Sequence, residues 1–184
     1  DGTIVAIGAI GNDGNGDGAG HVRVFEYIGS DWVQLGSDID GEDAGDESGH
    51  SLSLSSDGTI VAIGAVLNFG TGSHSGHVRI YEYDGSDWVQ MGSDIDAESE
   101  GDYSASLSIS SNGTIVAVGS MQNDGSGENA GHVRIYEYNG SDWVQMGNDI
   151  DGETEGDFSG ENVSISSDGT IVAIGAKFND DNGE

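Results

Sequence analysis

Two kinds of hydrophobic pattern alternate along the chain. In "SLSLS" (51–55) apolar and polar residues alternate with a period of two, as along a β-strand. In "TIVAIGA" (59–65) the apolar run is continuous and β-branched, which fits a strand buried on both faces. Two further strand candidates follow, "HVRIYEY" (77–83) and "DWVQMGSDI" (87–95). These four are labelled A to D. "SSDG" joins A to B as a tight turn and "DGS" joins C to D. Nothing in the unit has a helical period or a convincing helix cap. The pattern predicts an all-β chain.

The unit repeats. "DGTIVAIGA" starts at Asp1, Asp57 and Asp168 and returns as "NGTIVAVGS" at Asn112, at intervals of 56, 55 and 56 residues. His21, His77 and His132 open strand C in each copy, and Trp32, Trp88 and Trp143 recur in strand D. The one deletion falls in a loop between Asp102 and Asn112. A fixed period with drift confined to loops marks a repeat architecture. The expected division is a partial unit 1–46 (B-C-D), full units 47–102 and 103–157, and a partial unit 158–184 (A-B). Tandem four-stranded antiparallel units of this length read as propeller blades, with a linear stack of small sheets as the alternative. Propellers close with roughly four to eight blades. The chain is therefore expected to be a piece of a longer array, or to assemble with identical copies.

Charge narrows the partners. There are 34 Asp and Glu against 4 Lys and Arg, a formal net charge of −30. Nucleic acid is not expected as a partner because phosphate binding needs a positive surface, and an anionic membrane surface is disfavoured for the same reason. No apolar run approaches the length of a membrane span and no signal peptide is visible. Cysteine is absent, so disulfides are excluded. Bound cations or salt are expected to stabilise such a self-repelling chain.

The acids are patterned. "DIDGEDAGD" (38–46), "DIDAESEGD" (94–102) and "DIDGETEGD" (149–157) each carry carboxylates at relative positions 1, 3, 5 and 9, the oxygen spacing of a short calcium loop. The candidate ligands are Asp38, Asp40, Glu42 and Asp46; Asp94, Asp96, Glu98 and Asp102; and Asp149, Asp151, Glu153 and Asp157. In an up-and-down sheet these D–A loops share a rim with the B–C loops, and together the two sets hold 23 of the 34 acids. A merely solubilising charge would be spread more evenly. The B–C loops add "DGNGDG" with Asp13, Asn15 and Asp17, and its equivalents Asp124 with Glu128 and Asp180, Asn182 with Glu184. The second unit has Phe69, Thr71 and Ser73 there and is expected not to bind. Discrete calcium ions and a screened acidic rim without ions both fit.

"SGHSLSLSSDGTIVAIGA" (48–65) followed by "SGHVRIYEY" (75–83) resembles the FG-GAP repeats of integrin α-subunit propellers and their bacterial relatives. Gly49 and Gly160 match the glycine before strand A, Asp57-Gly58 and Asp168-Gly169 the turn, Gly64-Ala65 and Gly175-Ala176 the strand end, and Gly76-His77-Val78 the later strand. The family's phenylalanine and the proline after Gly-Ala are absent. Its calcium loop lies between A and B, where this chain has only "SSDG" or "SSNG", so calcium is expected on the opposite rim. The resemblance implies an extracellular or cell-surface propeller for adhesion or ligand binding, usually without catalysis.

Three other series recur. Arg23, Arg79 and Arg134 are expected to pair with nearby carboxylates. The three histidines lack regularly placed partner ligands and are assigned to strand-end hydrogen bonding. The tryptophans, with Tyr27, Tyr83 and Tyr138, are assigned to packing rather than to sugar stacking. Asn112, Asn139 and Asn162 each open an N-glycosylation sequon. No nucleophile elbow, zinc-protease helix motif or dinucleotide loop occurs, so the chain is expected not to be an enzyme. The leading expectation is a non-enzymatic extracellular adhesion or recognition repeat with a calcium-binding acidic rim and a protein or glycan ligand. A filament- or sheath-forming structural repeat and a glycan-binding module are the alternatives.

Overall fold

The computed structural model describes residues 2–180. Among them the chain is all-β, without a helix, in four successive antiparallel sheets. The first contains β1 (Ile4–Ala9), β2 (His21–Tyr27) and β3 (Trp32–Asp40), side by side in that order. The second runs β4 (Ser48–Leu54), β5 (Ile60–Ala65), β6 (His77–Tyr83) and β7 (Trp88–Gln90), with short β8 (Ile95–Asp96) also on β6. The third repeats this with β9 (Ser104–Ile109), β10 (Ile115–Ser120), β11 (His132–Tyr138), β12 (Trp143–Gln145) and β13 (Ile150–Asp151). The fourth has β14 (Ser159–Ile165) and β15 (Val172–Ala176). The expected strand D is thus continuous only in the first sheet. In the next two it is divided around Gly92 (φ 71°) and Gly147 (φ 75°), although Gly36, with φ 68°, stands at the same place in the unbroken strand.

The sheets stack face to face, and strand β5 shows why. All six of its residues are buried. Val61 and Ile63 join Val22, Val24 and Ile39 of the first sheet, while Ile60 and Ala62 join Leu107, Ile109, Val116 and Val118 of the third. Full burial of a side chain such as Ile63 contributes about 1.5–3 kcal/mol, so each sheet is stabilised chiefly by its two neighbours. Where a neighbour is lacking the same positions are open. Ile7 and Trp32 are 50% and 47% exposed, and Ile171 is 69% exposed against 8% for its equivalent Ile60.

The Ser–Leu alternation of strand A is not a division between core and water. Leu52 and Leu54 pack back onto the first sheet, while Ser53 points forward and its Oγ accepts the Ile109 N–H at 3.1 Å. Ser108 accepts the Ile165 N–H in the same way. The tryptophans bind in the opposite direction. Trp88 Nε1 donates to Leu35 O at 2.8 Å and Trp143 Nε1 to Met91 O at 2.7 Å, each reaching the outer strand of the preceding sheet.

Glycine in strand B permits the closest approach between sheets. A Cβ on Gly64 would lie 2.5 Å from Ala105 O of the next sheet, whereas Gly175, at the same place in the fourth sheet, has nothing nearer than 3.6 Å. Gly64→Ala is therefore expected to destabilise the protein by about 1–3 kcal/mol, the range for overpacking, and Gly175→Ala to be near neutral. Urea denaturation of the two variants checks this.

Candidate functional site

The B–C and D–A loops lie together on one rim and are tied to each other. Asn15 Nδ2 donates to Gly41 O and Glu42 O at 2.8 Å each, Thr71 Oγ1 to Ala97 O, and Ser126 Oγ to Gly152 O. Asn15 and its counterparts therefore brace the acidic loop of their own sheet.

The four acids of each D–A loop have different surroundings. Position 9 is buried. Asp46 Oδ2 accepts the Asp43 N–H at 3.0 Å and Asn68 Nδ2 at 3.1 Å, so it closes its own loop and holds the next sheet. Asp102 does the same with Ser99 and Asn123, and Asp157 with Thr154 and Asn179. Position 1 leans on strand D, where Asp38, Asp94 and Asp149 accept from Gln34, Gln90 and Gln145 at 2.6–2.7 Å. Position 3, Asp40, Asp96 and Asp151, is exposed. Although the residue as a whole is exposed, partial burial of its carboxyl beside the next sheet, and then the neighbouring Asp94 charge, raise Asp96 above the usual carboxylate range. Position 5, Glu42, Glu98 and Glu153, also lies at the surface.

In the B–C loops, Asp13 Oδ1 accepts the Gly18 N–H and Asp124 Oδ1 the Asn129 N–H, which fastens each loop on itself. Asp17 and Glu128 are exposed, as is Asp180, and Asn182 and Glu184 lie outside the described residues. On the other rim Asp57 Oδ1 accepts from Ser55, from Thr59 N and from Thr59 Oγ1. Those bonds hold its carboxyl below the usual range, led by the Thr59 N–H.

Side chains from adjacent sheets converge where the loops meet. Glu42 from the first sheet, with His77 and Asp94 from the second, places three potential ligand atoms within 4.8 Å of one another, and Glu98, His132 and Asp149 repeat the arrangement at the next junction. Among the described residues these are the two such groupings, and each combines a single acid from one loop with a histidine and an acid from the next sheet. His77 and His132 are each 1% exposed. His77 Nδ1 is 3.9 Å from Glu42 Oε2 and 3.7 Å from Asp94 Oδ2, and His132 Nδ1 is 4.0 and 3.8 Å from Glu98 and Asp149. In the first sheet His21 has Asp38 at 3.4 Å and Asp40 at 3.9 Å. A polar pocket of about 240 Å³ opens onto the first junction between Glu42, Asn68, Gly70, His77, Asp94 and Asp96.

Arginine orders each junction. Arg79 Nη1 lies 3.4 Å from Glu42 Oε1 and Nη2 donates to Asp40 O, and Arg134 meets Glu98 and Asp96 O similarly. Arg23 stacks over Phe25 at 5.7 Å. Burial, helped by the Arg79 charge, pushes the His77 imidazole down to about 4, so it is neutral at pH 7. His132 is lowered for the same reasons. Burial also raises Glu42, against the pull of Arg79.

The recurring Asn68, Asn123 and Asn179 escape a search for charged ligands, although their period, three residues after each strand B, is visible in the sequence. The expectation that the histidines lack regularly placed partners is corrected by the fold: an aspartate follows each by 17 residues (Asp38, Asp94, Asp149), and a glutamate precedes His77 and His132 by 35 and 34 (Glu42, Glu98), in separate loops.

No family model matches the chain, and no curated protein does. A protein from Bacteroides uniformis provisionally assigned as a 6-phosphogluconolactonase superposes with a TM-score of 0.59 at 16% identity, over 91% of this chain and 46% of its own. TolB from Acinetobacter baumannii aligns with a TM-score of 0.46 at 14% identity, over 84% of this chain and 31% of its own. The chain has a propeller-like fold. It spans less than half the length of either protein. The expectation that the chain is not an enzyme is corrected here. It rested on missing sequence motifs, and the Bacteroides protein places an enzyme name on this architecture.

The depressed His77 value fixes the sign of a pH effect. Between the ordinary value of 6.5 and about 4, the unfolded chain binds a proton that the folded one does not. Stability from this group is complete above that window and is lost as pH falls through it. With EDTA present, the melting temperature is expected to fall from pH 7 to pH 5. His77→Gln should flatten that slope, while Glu42, raised in the fold, acts in the opposite direction.

Proposed function

We propose that the chain is an extracellular or cell-surface recognition module of an FG-GAP-like propeller, in which the acidic rim is the contact surface and calcium bridges or screens its loops. The observation that carries this reading is the bracing of both acidic loop sets on one rim, with Asp40, Glu42, Asp96, Glu98, Asp151 and Glu153 exposed. A rigid array of carboxylates suits a basic protein surface, since complementary charge steers encounter and selects the partner. Glycan stacking has less support, because the indoles of Trp88 and Trp143 are committed to the neighbouring sheet.

A groove of about 400 Å³ follows β4, β9 and β14 past His50, Tyr103, Glu161 and Asn162. Its lining contains no lysine or arginine, but Lys177 Nζ lies 3.0 Å from the lining Glu161.

Asp40→Asn/Asp96→Asn/Asp151→Asn is expected to weaken binding to an immobilised lysine-rich peptide by about tenfold or more, a change of ~1.4 kcal/mol per decade, without changing the fold. Calcium at matched ionic strength should raise the melting temperature more than magnesium does. Unchanged peptide binding in the triple variant would remove the rim as the contact surface.

The burial of both faces of each internal sheet against its neighbours supports a second reading, a structural repeat whose copies stack end to end. Sedimentation velocity is then expected to show mass rising with concentration, and Ile171→Glu to abolish the rise.

A further inference from the structure

We propose that the junctions between successive sheets are binding sites for a divalent transition-metal ion of the zinc type, one held by Glu42, His77 and Asp94 and the other by Glu98, His132 and Asp149. This goes beyond the recognition reading and does not rest on it, since the ligands lie between sheets and one of each three is buried.

The histidine carries the inference. His77 is 1% exposed, and its Nδ1 is buried with no hydrogen-bond partner. Leaving a buried polar atom unpaired costs about 1–3 kcal/mol, so the orphan nitrogen of His77 requires a cause. Nδ1 faces two carboxylate oxygens, at 3.7 and 3.9 Å, and hydrogen-bonds neither. A hydrogen bond from a ring nitrogen to oxygen needs roughly 2.7–3.2 Å. Ligand atoms around a tetrahedral zinc, each about 2.0–2.1 Å from the ion, lie about 3.3–3.4 Å from one another. The separations from Nδ1 exceed that edge length by a few tenths of an ångström, and all three ligand atoms lie within 4.8 Å of one another, so an ion would draw exposed Glu42 and half-buried Asp94 inward. At the second junction His132 Nδ1 lies 3.8 and 4.0 Å from Asp149 and Glu98, while its unpartnered nitrogen is the other one, Nε2, so the second site rests on the repeated three-ligand geometry alone.

The remaining groups fit an ion. Arg79 engages Oε1 of Glu42 and leaves Oε2 turned toward His77, and Arg134 does the same for Glu98. The pocket of about 240 Å³ beside the first junction gives access and room for water as the remaining ligand. A donor set of one imidazole and two carboxylates favours zinc or manganese over calcium and magnesium, which take oxygen ligands alone. The first sheet supplies an internal control. Among the described residues, His21 has Asp38 and Asp40 beside it but no glutamate completing a three-ligand group.

The test is calorimetric titration of the EDTA-stripped chain with Zn²⁺ in millimolar calcium, followed by Co²⁺ and its visible absorption. Two ions per chain are expected, matching the two groupings. His77→Gln and His132→Gln should each remove one, with His21→Gln removing none. Glu42→Gln changes an exposed carboxylate and Asp94→Asn a half-buried one, and they keep the test valid if a histidine variant fails to fold; each should abolish the first site and leave the second. Diffuse binding to the acidic rim would give a stoichiometry other than two, displacement by calcium, or equal loss in all variants, and any of these overturns the proposal. Peptide binding by the rim is read in a separate assay, so either reading can fail without the other.

Discussion

The sheets carry apolar side chains on both faces, and among the described residues there is no helix to cover them, so each sheet depends on the next for its core. Val61 and Ile63 look one way and Ile60 and Ala62 the other, from a strand with no solvent side at all. That demand explains features that would otherwise look unrelated. Serine faces forward in strand A because an apolar residue there would leave the next strand's N–H unpaired. Glycine ends strand B because backbone from the following sheet occupies the space of a side chain. The exposure of Ile7 and Ile171 is the same rule seen from its boundary.

Much of the architecture was legible because it is written locally and then repeated. The continuous run in β5, the alternation in β4 and the Asp-Gly turn each declare themselves within a few residues, and the period multiplies the signal. The junctions were not legible because they are assembled from residues far apart in the chain. Spacing within "DIDGEDAGD" suggests a loop folded around one centre, as in a calcium loop. In the fold, its ninth position reaches Asn68, its first lies on Gln34, and its fifth turns toward His77 of the neighbouring sheet. A linear motif carries no record of which sheet each member will face. Missing motifs are weak ground against catalysis for a related reason, since a site gathered from several strands leaves no contiguous stretch to find.

Charge is distributed with the same economy. Most carboxylates sit at the surface, where water and salt screen them, and the buried ones have donors, as Asp46 and Asp102 do. Each full repeat contains one arginine, placed against the glutamate of the sheet before it. The imidazoles beside them stay neutral, so the junctions add no further positive charge and leave a nitrogen lone pair free to coordinate.

The unequal spacers between sheets have a geometric consequence. Near strand B the separation is set by glycine meeting backbone, and at the outer edge by an indole inserted between strands. Each interface is therefore pinned at two places, by a glycine that leaves no room for a side chain and by an indole that must reach one carbonyl, so successive sheets can be neither pressed together nor slid apart without losing one of the two.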